Sequence, residues 1–320
     1  MSLTETNLLN QLKFNQDLLN QVYISDPTIL NKISDIKYIY SDLDGTLLHD
    51  NQSITALTQA CILYIKDKYK IEFGLCSGRI DCQMTLYSAI TKSEIPLISC
   101  NGALLRKANE QILFINEINK IDASKLSSYL IKNNIDFLLY TTEAVYYPYQ
   151  DSDSLKPFIK YNENCKNYGQ EPVKLYKLTI DNLPNKIIKF KILCTADELE
   201  HIDTINNYIN NVDGLEFIRS SSTVMDIMKT GTDKGSGLLK FCELYNCKLD
   251  NIIYFGDHLN DLSALTKVGM AVTVDNAEKE CKDAAQIISV NNNDDGLAYA
   301  LIKIFNINIS ELEKFYQDII

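Results

Sequence analysis

The 320-residue sequence predicts an α/β protein, a parallel sheet with helices on both faces and a second α/β or α+β unit inserted into it. Three observations carry that expectation. Short apolar strands alternate with helical patterns toward both ends of the chain. Between about residues 108 and 226 the alternation gives way to closely spaced apolar runs. The composition, 46% apolar and 23% charged, is ample for a large core.

In chain order, residues 3–24 put Leu8, Leu9, Leu12, Leu18, Leu19 and Val22 at helical spacing. This predicts an amphipathic helix that packs on the body or on a partner chain. Strands follow at 36–41, 71–76 and 97–100, with helices near 55–68 and 80–92 between them. The middle holds apolar runs at 137–141, 145–149, 174–179, 187–194 and 215–218, and helical patterns near 122–133 and 196–210. A helix near 233–246, a strand at 252–255, a helix near 260–267, a strand at 270–274 and a helix near 295–305 complete the chain. Parallel neighbours need crossover connections, so this order fits an open, Rossmann-like sheet. The expected domains are an N-terminal helical extension (1–33), a core (34–107 and 227–320) and an inserted unit (108–226).

The formal net charge of −11 argues against a nucleic-acid or anionic-membrane partner. No apolar run approaches the ~20 residues of a membrane span. The first twenty residues lack the basic and apolar regions of a signal peptide. Nine cysteines are scattered without a C-x-x-C, which reads as reduced core thiols and a cytoplasmic location. Histidine occurs only at 49, 201 and 258, which argues against a histidine-rich zinc site and most His-dependent triads.

The most informative stretch is "YSDLDGTLL", residues 40–48. Ligands of a parallel sheet gather at the carboxyl ends of its strands, and Asp42 and Asp44 follow the strand 36–41. Side chains two apart on an extended chain point the same way. Two such carboxylates repel, and a divalent cation relieves the repulsion. Magnesium takes one or two carboxylates together with phosphate oxygens. Gly45 permits a tight turn that aims N–H groups inward. The plain alternative is a strand ending in an Asp-Gly turn.

Three further segments bear on the same chemistry. "GLCSGRI" sets Ser77, Gly78 and Arg79 past the second strand, either a phosphate-holding helix start or an ordinary Ser-Gly turn. "TDKGSGL" puts Lys234 in the first turn of a helix, where a cation gains nothing from the dipole. It is a phosphate clamp or a solvated surface lysine. "IIYFGDHLNDLSAL" ends a strand with Asp257, Asn260 and Asp261, whose two carboxylates at i and i+4 share a face on a helical turn. Among other polar candidates, Arg79 reaches a substrate or pairs with a carboxylate, and Asn101 faces the crevice or serves an Asn-Gly turn. Tyr140, Tyr146, Tyr147 and Tyr149 form an aromatic group in the insert, each most simply a core or surface tyrosine.

Together "DLDGTLL", "SGR", the lysine of "TDKGSGL" and "GDHLND" resemble, in order and spacing, the four motifs of the haloacid dehalogenase superfamily. "ISCNGA" and "GMAVTVDNA" are similar to further signatures of its Cof-type branch, which carries a large cap domain between the second and third motifs. The resemblance is close over 36–105 and 226–305; the cap matches by length and position. Asp275, before Asn276, departs from the pattern and adds a charge near the site rim.

The resemblance implies a magnesium-dependent phosphatase of small phosphorylated metabolites, such as sugar or cofactor phosphates. Asp42 would be the nucleophile that forms an aspartyl-phosphate, and Asp44 the general acid and then the base. Magnesium would be held by Asp42, the backbone carbonyl of Asp44 and Asp257, with Asp261 nearby, bound through water or directly. Ser77, the backbone at Leu43 and Gly78, Lys234 and Asn260 would hold the phosphate. The cap, hinged near 105–110 and 226–232, would read the leaving group. Two other readings remain, a sugar phosphomutase and a catalytically silent phosphometabolite-binding protein; the short "GDHLND" and the complete motif set argue against them respectively. The expected assembly is a monomer or homodimer.

Overall fold

Six strands form one sheet in the order Tyr23–Ile24, Ile287–Ser289, Met270–Val274, Ile252–Phe255, Tyr38–Ser41 and Glu72–Leu75. All neighbours are parallel except the edge strand Tyr23–Ile24, which runs antiparallel to Ile287–Ser289. The computed structural model describes residues 12–107, 111–165, 171–193, 199–219 and 223–319. These divide into two units: residues up to Ser77, Tyr87–Pro96 and those from Leu238 onward; and Gly78–Leu86 with Leu97–Gly237.

The strands of the first unit are almost continuously apolar and buried, as a parallel sheet covered by helices requires. The helix Ala56–Tyr69 begins at Thr55, whose hydroxyl accepts from the Thr58 amide, and ends at Lys70 in the left-handed region. Gly296–Phe305 buries Leu297, Leu301 and Phe305. Register aligns the carboxyl ends: Ser41 lies opposite both Phe255 and Leu75. The residues just after these three strands therefore share one edge of the sheet.

The second unit is α+β. Its larger sheet has the order Leu215–Arg219, Val224–Lys229, Ile187–Leu193, Phe137–Thr141, Val145–Tyr147 and Leu175–Lys177. Only the last pair is parallel. Lys120–Lys132 packs Leu126 and Leu130 into a core with Phe137, Phe190 and Ile227.

Two expectations change. The strand expected at 97–100 exists as Leu97–Ser99 but pairs antiparallel with Leu104–Arg106, itself antiparallel to Ile112–Ile115. The turn at Cys100–Gly102 folds the chain straight back, so no crossover carries it into the parallel sheet. The helix expected over 3–24 is described only as Gln16–Gln21; residues 1–11 lie outside the described residues. Tyr23–Ile24 pairs with the sheet instead, and the Asn15 amide donates to the Tyr299 hydroxyl at 2.8 Å, so this segment packs on the body.

Candidate active site

Asp42 continues the strand Tyr38–Ser41, and its amide donates to the Phe255 carbonyl at 2.9 Å. The chain then turns sharply. The amides of Leu47 and Leu48 both donate to the Leu43 carbonyl, and Gly45 takes a φ of +78°. A side chain at Gly45 would be strained there, and its Cβ would stand 2.5 Å from Asp257 Oδ2. The glycine thus lets the first turn press on the carboxylate of the third strand's loop. Asn276 fixes the turn from another side, its amide group donating to the Gly45 carbonyl at 2.7 Å while its oxygen accepts the Asn292 amide.

The loop after Ile252–Phe255 is built around Asp261. Its Oδ2 accepts the amides of Asp257 and His258 at 3.1 and 3.0 Å, and its Oδ1 accepts the Tyr254 hydroxyl at 2.6 Å. Burial and the neighbouring Asp261 charge push the Tyr254 hydroxyl well above its ordinary pKa, so it stays a donor. The helical i, i+4 geometry expected for Asp257 and Asp261 is replaced here. Asp257 precedes the turn Leu259–Asp261, and Asp261 reaches back to cap the turn's open amides. Gly256 makes room, since a Cβ there would meet Asp261 Cβ at 2.5 Å. The Thr46 hydroxyl donates to Asp257 Oδ1.

The outcome is a cluster of three carboxylates, Asp42, Asp257 and Asp261, with one oxygen of each within 4.8 Å of the others. Asp42 and Asp261 are buried, at 6% and 0% exposure. Three carboxylates at this distance, two of them buried and Asp257 half-buried, repel one another, and a cation would balance them. An all-oxygen donor set of this kind suits a hard divalent ion.

The other expected site residues fall as follows. Ser77, buried, follows Glu72–Leu75 at the same sheet edge as Asp42. Asn260 is half-buried in the turn between Asp257 and Asp261. Asp44 is exposed, and its carboxylate accepts from the Gln52 amide at 3.3 Å. Leu43 is fully buried, its carbonyl committed to the turn. Gly78 and Lys234 belong to the second unit. Lys234 opens the helix Lys234–Tyr245 and is fully buried, which overturns the solvated-surface alternative. Asn101 sits in the left-handed region at φ +53°, a turn residue, and its side chain bonds to Asp226. Tyr140 is a core residue edge-on to Phe158. Asp275 pairs with Lys282 at 3.2 Å, which offsets its rim charge. Tyr254, Thr46 and Asn276 escaped the sequence reading; Thr46 and Asn276 lie inside quoted motifs, whereas nothing in "IIYF" marks Tyr254 as a donor.

Comparison with known proteins gives a consistent result. A family model described as haloacid dehalogenase-like hydrolase matches residues 39–301. A 5-amino-6-(5-phospho-D-ribitylamino)uracil phosphatase, YwtE, of Bacillus subtilis is 23% identical over 288 residues, covering 85% of this chain and 99% of the relative. The pyridoxal phosphate phosphatase YbhA of Escherichia coli is 24% identical over 272 residues, covering 82% and 96% respectively. Among solved structures, a HAD/COF-like hydrolase from Plasmodium vivax superposes with a TM-score of 0.73 at 19% identity, covering 88% of this chain and all of that one. A haloacid dehalogenase-like hydrolase from Bacteroides thetaiotaomicron gives 0.71 at 21% identity, covering 84% and 100%.

Proposed function

Since the chain belongs to the haloacid dehalogenase-like hydrolases and is a phosphatase, we propose that it hydrolyses small phosphorylated metabolites with magnesium, through an aspartyl-phosphate on Asp42. The observation that carries this reading is the cluster of Asp42, Asp257 and Asp261 oxygens at the carboxyl edge of the sheet. Asp42, Asp257, Asp261 and the Asp44 carbonyl would hold the ion. When bound, magnesium supplies charge neutralisation to the phosphate oxygens and to the carboxylates themselves.

Monoester hydrolysis is among the slowest uncatalysed reactions, needing up to about 10²¹-fold acceleration. A covalent carboxylate intermediate divides that barrier into two displacements. Asp42 attacks phosphorus, the phosphorus–oxygen bond to the leaving alcohol breaks, and Asp44 gives that alcohol a proton. Asp44 then takes a proton from the water that releases phosphate from Asp42. The exposure of Asp44 suits a group that exchanges protons with substrate and solvent. Ser77, the backbone at Leu43 and Gly78, Lys234 and Asn260 would hold the phosphate oxygens.

The residues from 108 to 226 would act as the cap that chooses the leaving group. Two relatives named as phosphatases of 5-amino-6-(5-phospho-D-ribitylamino)uracil and of pyridoxal phosphate make those two compounds the first substrates to try. The scattered cysteines, with no C-x-x-C among them, support a reducing, cytoplasmic location. None of the described helices is long and apolar enough to cross a membrane.

The test is turnover of an aryl phosphate in magnesium by the wild type and by Asp42→Asn. The variant should keep its fold and lose about 10⁴-fold or more of kcat. Undiminished turnover in the variant ends the reading. A phosphate-release screen over sugar phosphates, nucleotides, pyridoxal phosphate and flavin mononucleotide then identifies the substrate class.

A further inference from the structure

The second unit buries a charge pair that the proposed chemistry does not use. Lys189 and Asp226 are 2% and 1% exposed, with Nζ and Oδ2 3.2 Å apart. They stand on the adjacent strands Ile187–Leu193 and Val224–Lys229. The register partner of Asp226 is Lys191, two residues from Lys189, so both side chains leave the same face. Burying two ions costs several kcal/mol each, and an apolar pair would hold a sheet as well. The pair therefore needs another role.

Its remaining bonds supply one. Lys189 Nζ donates to the Gly78 carbonyl at 2.7 Å while lying 4.7 Å from the centre of the Tyr140 ring. Asp226 Oδ2 accepts from Asn101 Nδ2 at 2.8 Å. The next carbonyl along the turn, that of Arg79, accepts the Cys100 amide at 2.9 Å. Two successive peptides of the Ser77–Arg79 turn thus have their oxygens tied down within the second unit. A trans peptide is planar, with its N–H opposite its C=O. Holding the Gly78 oxygen on the ammonium turns the Arg79 N–H the other way, and holding the Arg79 oxygen does the same for Ile80. Gly78 itself rests against Asn101, where an added Cβ would stand 3.0 Å from Oδ1.

We propose that the Lys189–Asp226–Asn101 network is a positioning device that fixes the direction of the Gly78–Arg79 peptide, so that its N–H is set in advance to receive a phosphate oxygen. This rests on the reading that Ser77 and the backbone at Gly78 hold phosphate. Lys189 acts through the peptide and touches no substrate. The network makes phosphate affinity depend on two strands of the inserted sheet, and it leaves magnesium affinity to the carboxylates of the first unit.

The test uses the full chain, para-nitrophenyl phosphate and two double variants that remove the charges together. Lys189→Met with Asp226→Asn removes the donor to Gly78. Lys189→Gln with Asp226→Asn keeps one. In the first, kcat/KM should fall about 100-fold, the cost of a displacement near 1 Å. The inhibition constant of inorganic phosphate should rise about tenfold, the worth of one hydrogen bond. The magnesium concentration for half-maximal activity should not move, and the glutamine variant should recover part of the phosphate affinity. Wild-type phosphate affinity in the methionine variant overturns the proposal. So does a parallel shift in magnesium dependence, or a glutamine variant no better than the methionine one. A wild type that turns over no aryl phosphate counts against the phosphatase reading instead. The phosphate-induced rise in melting temperature, compared across the three proteins, then decides the positioning role.

Discussion

The two units bury charge in opposite ways. The first gathers three carboxylates, Asp42, Asp257 and Asp261, within 4.8 Å. The second sets one ammonium against one carboxylate, Lys189 against Asp226, and threads both into backbone and amide bonds. A like-charged group stores repulsion that a cation releases on binding, so its cost is the driving force for a ligand. A matched pair stores none, and what it contributes is geometry. The contrast separates a place built to bind from a place built to hold still.

The contrast breaks most readily at Asp257. Replacing it with Asn keeps an oxygen for the Thr46 hydroxyl and removes one of three like charges. Without metal, Asp257→Asn should melt above the wild type, because repulsion is relieved. With magnesium the order should reverse: the wild type gains stability, the variant gains little, and activity falls by about 10³-fold or more. Thermal melts at zero and saturating magnesium check both signs. A variant that melts lower without metal would mean the carboxylates are not mutually destabilising, and the contrast would fail.

The second unit should respond to shape rather than charge. Gly102 has a φ of +95°, and a Cβ there would lie 2.2 Å from the Asp233 carbonyl. Asp233 is the residue whose carboxylate accepts the Ser236 amide at the start of the helix that carries Lys234. Gly102→Ala should cost about 2–4 kcal/mol, from backbone strain and the forced shift of that helix start. Urea midpoints measure it, and the loss should be the same with and without magnesium. A magnesium-dependent loss would mean the two regions are not separable in this way.

Much of this was legible in the sequence, and the rest was hidden for physical reasons. Strand ends and glycine turns are local events, so "DLDGT" and "GDHLND" gave the carboxylates and their sheet edge directly. Pairing partners are not local. Leu97–Ser99 read as one more parallel strand because its apolar run is the same whichever way its neighbour runs. Lys189 sits inside "IIKFKILC", where a lysine in an apolar run looks like a half-exposed strand residue. Only the fold brings Asp226 and the Gly78 carbonyl to it. Tyr254 is the same case, a strand tyrosine whose hydroxyl finds Asp261 seven residues later.

Tyr254 offers a smaller test within the first unit. Tyr254→Phe removes one donor from the buried Asp261 carboxylate while leaving the two amide donors in place. The cost should be about 1–2 kcal/mol, that of a hydrogen bond to a charged group. It should shrink when magnesium is present, since the ion takes over part of the stabilisation of that carboxylate. Denaturant melts of the two proteins, with and without magnesium, measure both effects. An equal cost in the two conditions would detach Asp261 from the ion site.

The smallest expected effect lies at the rim. Asp275 carries a charge that would matter if long-range repulsion governed metal or phosphate binding. It is paired with Lys282 at 3.2 Å, with 72% of its own side chain exposed. Exposed pairs are screened by solvent and salt and contribute at most about 1 kcal/mol. Asp275→Asn should therefore change stability by less than about 0.5 kcal/mol and leave half-saturating magnesium within about twofold of the wild type. A larger shift that vanishes in 0.5 M salt would show that the site feels the field of its surroundings. The buried like-charge cluster would then be only part of what draws the cation in.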